Sequence, residues 1–214
     1  MTEYQSNRLE AISLDRASNP DERAVSTSCY WLTGLPGAGK TTLAREFSLS
    51  LRSRQISALV LDGDDLRAGL NRDLTYNRDD RAENIRRVSE IARILIESDI
   101  TAIVALVSPY QEDRDMARQI IGPDRFVEVF VDAPIDTCME RDPKGLYQRA
   151  RTGLLPNFTG VTAPYEKPTA PTVHVPTSVR TVAESIDILL NHFEHRRERT
   201  SRSITDSWPV PIRA

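Results

Sequence analysis

Short continuous apolar runs alternate along this chain with stretches of helical period. Residues 29–33 (Cys-Tyr-Trp-Leu-Thr) form an aromatic, apolar run that stops at a glycine-rich turn, which predicts a buried strand. Leu43, Phe47 and Leu51 then recur at helical spacing, and residues 58–61 predict a second strand ending in Asp62-Gly63-Asp64. Over residues 79–97 the stripe Ile85, Val88, Ile91, Ala92 and Leu95 fits an amphipathic helix. Further strands are predicted over 102–107 and 126–131, and a helix over 135–141. A segment punctuated by Gly and Pro follows over 143–171, then a short strand over 172–175 and a closing helix over 179–193. Strands alternating with helices in this way predict an α/β three-layer sandwich, with a parallel five-stranded sheet covered on both faces.

The ends differ from the middle. Residues 1–28 are polar and lack a sustained apolar period, and residues 195–214 are rich in Arg and then Pro. Both read as extensions around one domain spanning 29–194. The 214 residues, 39% hydrophobic and 28% charged, suffice for one sizeable core. Lys and Arg total 28 against 31 Asp and Glu, a formal charge of −3, so no bulk positive field draws in nucleic acid or an anionic membrane. No apolar run is long enough to span a bilayer, no signal-peptide core is evident, and Cys29 and Cys138 form no CxxC pair. A cytoplasmic protein without a disulfide or zinc scaffold is expected. Only Lys40, Lys144 and Lys167 are lysines; every other basic residue is Arg, so each lysine becomes a candidate for a role that needs a compact ammonium.

One lysine falls at once on a motif. Gly34, Leu35, Pro36, Gly37, Ala38, Gly39, Lys40 and Thr41 fit GxxxxGK[ST], between a predicted strand and a predicted helix, and Thr42 extends the run. Glycines let successive backbone N–H groups turn inward around phosphate oxygens, and the following helix adds the positive end of its dipole. Lys40 can reach the β- and γ-phosphates, and the Thr41 hydroxyl can ligate Mg²⁺. The loop establishes NTP binding of the P-loop NTPase or nucleotide-kinase type and little more: GTPase switches, motor ATPases and small-molecule kinases share it. An N-K-x-D guanine motif is absent.

In such sheets ligands bind beyond the C-terminal strand ends. There the second strand delivers Asp62 and Asp64. One could hold Mg²⁺ and the other orient an acceptor hydroxyl, and Asp64 could equally cap the helix beginning near Leu66. Arg81 and Asn84 continue the stripe of the 79–97 helix at its polar end, which places them, with Arg67, where an anionic acceptor could lie. Arg86 and Arg87 read instead as part of a solvated helix start, with Glu83–Arg87 as an i, i+4 pair. Ser108, following Val107 at the third strand's end, either contacts the acceptor or caps the next helix. Arg141 and Lys144 introduce the cationic 143–171 segment, which suits a closing lid, and Phe158 is better placed to stack on a base than to fill a core.

Taken together, GLPGAGKTT, LDGDDLRAGLN, DRAENIRR, VSPYQEDRDMAR, FVEVFVDAP, RDPKGLYQRAR and NFTGVTAPYEKP, in this order, resemble the adenylylsulfate kinase family over about residues 29–194. That family transfers the γ-phosphate of ATP to the 3′-hydroxyl of adenosine 5′-phosphosulfate (APS), yielding 3′-phosphoadenosine 5′-phosphosulfate (PAPS). The resemblance implies that residues 34–42 and Arg141 serve ATP, and that Thr41 and Asp62 serve Mg²⁺. It implies Asp64, Arg67, Tyr76, Arg81, Asn84, Val107, Ser108, Lys144 and Phe158 for the acceptor, with Lys40, Asp62, Asp64, Ser108 and Lys144 catalytic. Tyr76 stands where the family commonly has Phe, and Ser108 matches a serine labelled in some members as a phosphoserine intermediate, a step that in-line transfer does not need. Leu154-Leu155-Pro156 replaces a more polar, often lysine-bearing stretch, and His174-Val175-Pro176-Thr177 lacks a frequent lysine. A homodimer is implied, and no sulfurylase segment is recognised. The rival expectations are a related kinase for another nucleotide-like or sugar alcohol, and a nucleotide-binding regulatory module.

Overall fold

The computed structural model describes residues 27–206. Five strands, β1 (Cys29–Thr33), β2 (Ala58–Asp62), β3 (Thr101–Ala105), β4 (Phe126–Asp132) and β5 (Val173–Pro176), form one parallel sheet in the order β2-β3-β1-β4-β5. Among the described residues seven helices accompany them: α1 (Lys40–Ser53), α2 (Gly63–Ala68), α3 (Arg78–Glu97), α4 (Gln111–Ile121), α5 (Ile135–Arg141), α6 (Leu146–Arg151) and α7 (Val182–Asp206).

Successive residues of β1 face opposite sides of the sheet, as a strand requires, and so seed two cores. Tyr30 and Leu32 join Leu43, Phe47 and Leu51 of α1 and Leu189 and Phe193 of α7 on one face. Cys29 and Trp31 join Ile85, Val88 and Ala92 of α3 with Ala117 and Ile121 of α4 on the other. All five residues of β1 and of β3 are buried, which is why these strands read as continuous apolar runs. The chain passes from β1 to β2 and β3 on one side and then crosses back to β4. The strand order therefore reverses at β1, whose C-terminal end opens the crevice that holds the site.

The expected three-layer architecture holds, with differences at the margins. β3 stops at Ala105 rather than 107, because the backbone turns through Ser108, whose φ is 43°. α2 begins at Gly63, three residues before Leu66, because the Asp62 carboxylate caps it by accepting from Asp64 N–H at 3.0 Å. The buried face of α4 carries Asp113 and Arg114 besides Ala117 and Ile121, so an apolar stripe does not mark it. α7 runs through residue 206 instead of closing at 193, and Arg196 Nε donates to Ser28 Oγ at 2.8 Å. The expected tail thus starts as helix, and Ser28, expected in the leader, is buried beside β1. Residues 1–26 and the stretch from Trp208 to Pro211 lie outside the described residues.

Candidate active site

A cleft of about 1040 Å³ opens at the C-terminal ends of β1, β2 and β3. Its floor is the turn between β1 and α1. A Cβ on Gly34 would lie 2.3 Å from the Val131 carbonyl oxygen, and Gly37 has a φ of 79° with the Cys138 carbonyl 2.9 Å from a Cβ, so no side chain fits at either. Lys40 is buried, and its Nζ donates to the Gly34 and Leu35 carbonyls, both at 2.8 Å. Burial pulls its pKa down to about 8. Pro36, Gly37, Gly39, Lys40, Thr41 and Thr42 line the cleft, while Leu35 and Ala38 turn into the core behind it. Two side chains brace the loop from outside: Tyr147 donates to the Pro36 carbonyl and the Thr177 hydroxyl to that of Ala38, each at 2.8 Å.

Thr41 Oγ1 donates to Asp62 Oδ2 at 2.7 Å, so a hydroxyl and a carboxylate converge beside the loop. Both are hard oxygen donors. Among the described residues no group of three or more His, Cys, Asp or Glu could hold a metal. A cation here would complete its shell with water and phosphate oxygens, which is the habit of Mg²⁺, and the donor set fits it. Asp64, two residues on, is paired with Lys144 of the segment after α5, and this contact raises the lysine's pKa. Arg141 Nη2 donates to the Thr177 carbonyl at 2.7 Å on the opposite wall.

The other side is built from side chains of α2, α3 and two loops. Arg67 Nη1 donates to the carbonyls of Leu74 (3.1 Å) and Thr75 (2.8 Å), and its guanidinium lies 4.3 Å from the Tyr76 ring centroid. Arg81 reaches the Tyr76 carbonyl at 2.9 Å, the Asn157 carbonyl at 2.6 Å and the Thr159 hydroxyl at 3.2 Å. Asn84 is buried and lines the cleft, as do Val107 and Ser108. Ser108 Oγ accepts from Trp31 Nε1 at 2.9 Å, and the serine is 3% exposed. Phe158 combines the two expected alternatives: it packs half-buried against the core, edge-on to Tyr147 at 5.0 Å, and also lines the cleft. Arg86 and Arg87 pair with Glu83, as the helix spacing predicts.

Several residues that shape the site were given no role by the sequence, although most lie within the family-like stretches. Arg114, fully buried, donates to Glu128 Oε1 at 2.8 Å, to the Ser108 carbonyl at 2.7 Å and to the Glu166 carbonyl at 2.9 Å. Glu166 in turn accepts from Gln111 N–H at 2.7 Å, and its N–H donates to the Pro109 carbonyl at 2.8 Å. The end of the 143–171 segment is thereby fastened to the β3–α4 turn. The one available signal was Glu128, a lone charge inside the apolar run FVEVFVD. Arg149 and Arg180 also line the cleft and add cations to it.

A glycine loop between a strand and a helix, a hydroxyl–carboxylate pair beside it and a facing wall of guanidiniums define a P-loop kinase, an ATP-dependent phosphotransferase. Residues 26–176 match the adenylylsulphate kinase family, and the chain belongs to that family. An adenylyl-sulfate kinase of Geotalea uraniireducens is 42% identical over 194 residues, covering 91% of this chain and 93% of that protein. One of Pseudomonas aeruginosa is 46% identical over 165 residues, covering 77% and 84%. The APS kinase CysC of Mycobacterium tuberculosis, solved in complex with AMPPNP and APS, superposes with a TM-score of 0.76 at 40% identity, covering 78% of this chain and 98% of that one.

Proposed function

We propose that this chain transfers the γ-phosphoryl group of ATP to the 3′-hydroxyl of APS, releasing ADP and PAPS. The observation that carries this reading is the pairing, within one cleft, of the phosphate loop with the Arg67–Arg81–Asn84 wall, in a chain of this family. The loop's N–H groups and Lys40 bind the β- and γ-phosphates, Lys40 exchanging its two carbonyl acceptors for phosphate oxygens. Thr41 and Asp62 would hold Mg²⁺, which when bound would supply charge neutralisation at the phosphates. Asp64 accepts the hydrogen bond of the 3′-hydroxyl and takes its proton as the new O–P bond forms and the bond to the β-phosphate oxygen breaks. Lys144, leaving Asp64, brings its ammonium to the moving phosphoryl group.

Arg67, Arg81 and Asn84 bind the phosphosulfate and ribose. Phe158 stacks on the acceptor base, supported from behind by Tyr147. Residues 143–171 serve as the lid, anchored at their far end by Arg114 and Glu166. Arg141 borders the nucleotide. Ser108 orients the acceptor through its hydroxyl, whose lone pair is already engaged by Trp31, and direct in-line transfer leaves it unphosphorylated. Among the described residues no helix is long and apolar enough to cross a membrane. The family resemblance extends the proposal to a cytoplasmic homodimer spanning residues 29–194 as one domain.

A second acceptor alcohol has one specific observation in its favour: Leu155 and Pro156 line the cleft where the family is more polar. Steady-state ADP release with Mg-ATP and a panel of acceptors tests both readings. The expected result is strong stimulation by APS with PAPS found by mass; stimulation by a sugar alcohol in place of APS would overturn the choice of acceptor.

A further inference from the structure

Asn71 lies behind the cleft wall, in the connection between α2 and α3, and is wholly buried. Its backbone is fixed on both sides: the N–H donates to the Leu66 carbonyl at 2.8 Å, and the carbonyl accepts from Leu74 N–H at 3.1 Å. Its side chain makes one hydrogen bond, in which Nδ2 donates to Asn84 Oδ1 at 3.0 Å, and its own Oδ1 has no partner. An asparagine amide carries an acceptor on one arm and two donors on the other, so a half-turn of Asn84 would exchange what the cleft meets.

The two ways of pairing these amides are not equivalent. If Asn84 donated and Asn71 accepted, the NH₂ of Asn71 would be buried where its oxygen now has no hydrogen-bond partner. Orphaned buried N–H groups are rarer and costlier than an under-satisfied carbonyl oxygen. The observed direction, with Asn71 donating, leaves the milder defect and fixes Asn84 with its oxygen turned away.

We infer that Asn71 is a positioning residue that sets the polarity of Asn84, so that the acceptor meets only N–H donors at this point of the wall. Together with Arg67 and Arg81 this makes a surface of donors without acceptors, suited to oxygens that carry no proton, such as those of a phosphate or sulfate. A hydroxyl there can accept from these groups, but its own proton finds no acceptor among them. The inference rests on the reading of Asn84 as an acceptor-binding residue.

Two measurements test it. In kinetics, Asn71→Leu, of similar volume but without a donor, should raise the KM for APS roughly tenfold while the KM for ATP stays within about twofold. In nitrogen-labelled wild-type protein, the side-chain NH₂ signal missing from Asn84→Ala should move when APS is added. The signal missing from Asn71→Leu should exchange slowly with solvent and ignore APS. If Asn84→Ala leaves the KM for APS unchanged, the reading of Asn84 falls and takes the inference with it. If Asn84→Ala is impaired while Asn71→Leu is normal, the inference alone falls. Should Asn71→Leu fail to fold, the wild-type Asn84 signal decides: insensitivity to APS would mean that its NH₂ faces Asn71, and would overturn the proposed polarity.

Discussion

The two halves of the cleft are made differently. The proposed nucleotide half is one short stretch of chain whose backbone would do the binding, braced by Tyr147 and Thr177 and backed by the core through Leu35 and Ala38. The proposed acceptor half is assembled from side chains separated by scores of residues, such as Arg81 and Thr159, which lie 78 positions apart yet share a hydrogen bond. The contrast extends to the cations. Lys40 rests on two carbonyls of its own loop, whereas Arg67 and Arg81 hold carbonyls of the α2–α3 connection and of the 143–171 segment. A backbone site is specified locally and varies little, while a side-chain site is specified by packing and can be retuned by single substitutions. Of the departures expected from the family resemblance, Leu155 and Pro156 line the cleft, while Thr177 braces the first half.

Lys40→Ala should give the largest effect and break the nucleotide half alone. Turnover should fall roughly 10³-fold or more, because the variant loses a buried cation at the phosphates, with the thermal transition retained. Steady-state kinetics beside a circular-dichroism melt would check this, and near-wild-type turnover would contradict the role of Lys40.

Arg81→Ala should do the converse at smaller scale. A lost charge-assisted contact to an anionic acceptor predicts a KM for APS raised about 10- to 100-fold, with the KM for ATP little changed. Equal rises in both constants would show that the two halves are not separable in this way.

A third effect is smaller and depends on pH. In the free protein burial lowers the Lys40 pKa from 10.5 to about 8, whereas bound phosphates favour the charged form. Below about pH 8 the ammonium is present with or without ATP. Above it the free protein loses the proton and ATP binding must recover it, so affinity falls as pH rises from about 8 toward the ordinary lysine value. Calorimetric titration with ATP at pH 9, in buffers of different ionisation heat, should show uptake approaching one proton, and at pH 7 almost none. Equal uptake at both values would contradict the assignment.

The same contrast explains what the sequence alone disclosed. The sheet, its strands and residues 34–42 follow from local signals: apolar runs, helical periods and a glycine pattern with its lysine. Asp62 and Asp64 follow from the rule about strand ends. Arg114 and Asn71 do not, because what they do is defined by partners brought together only in the fold: Glu128, Ser108 and Glu166 for one, Asn84 for the other. The length of α7 was hidden for a related reason. After Phe193 no further apolar stripe continues, and the helix goes on through its backbone and the Arg196–Ser28 contact.

The most direct measurement is a single turnover with ATP labelled at the γ-phosphate, protein in excess, with and without APS. The label should pass to PAPS at the rate at which ADP appears, with none retained on the protein. Label lost to water at the same rate whether or not APS is present would contradict transfer between the two halves of this cleft.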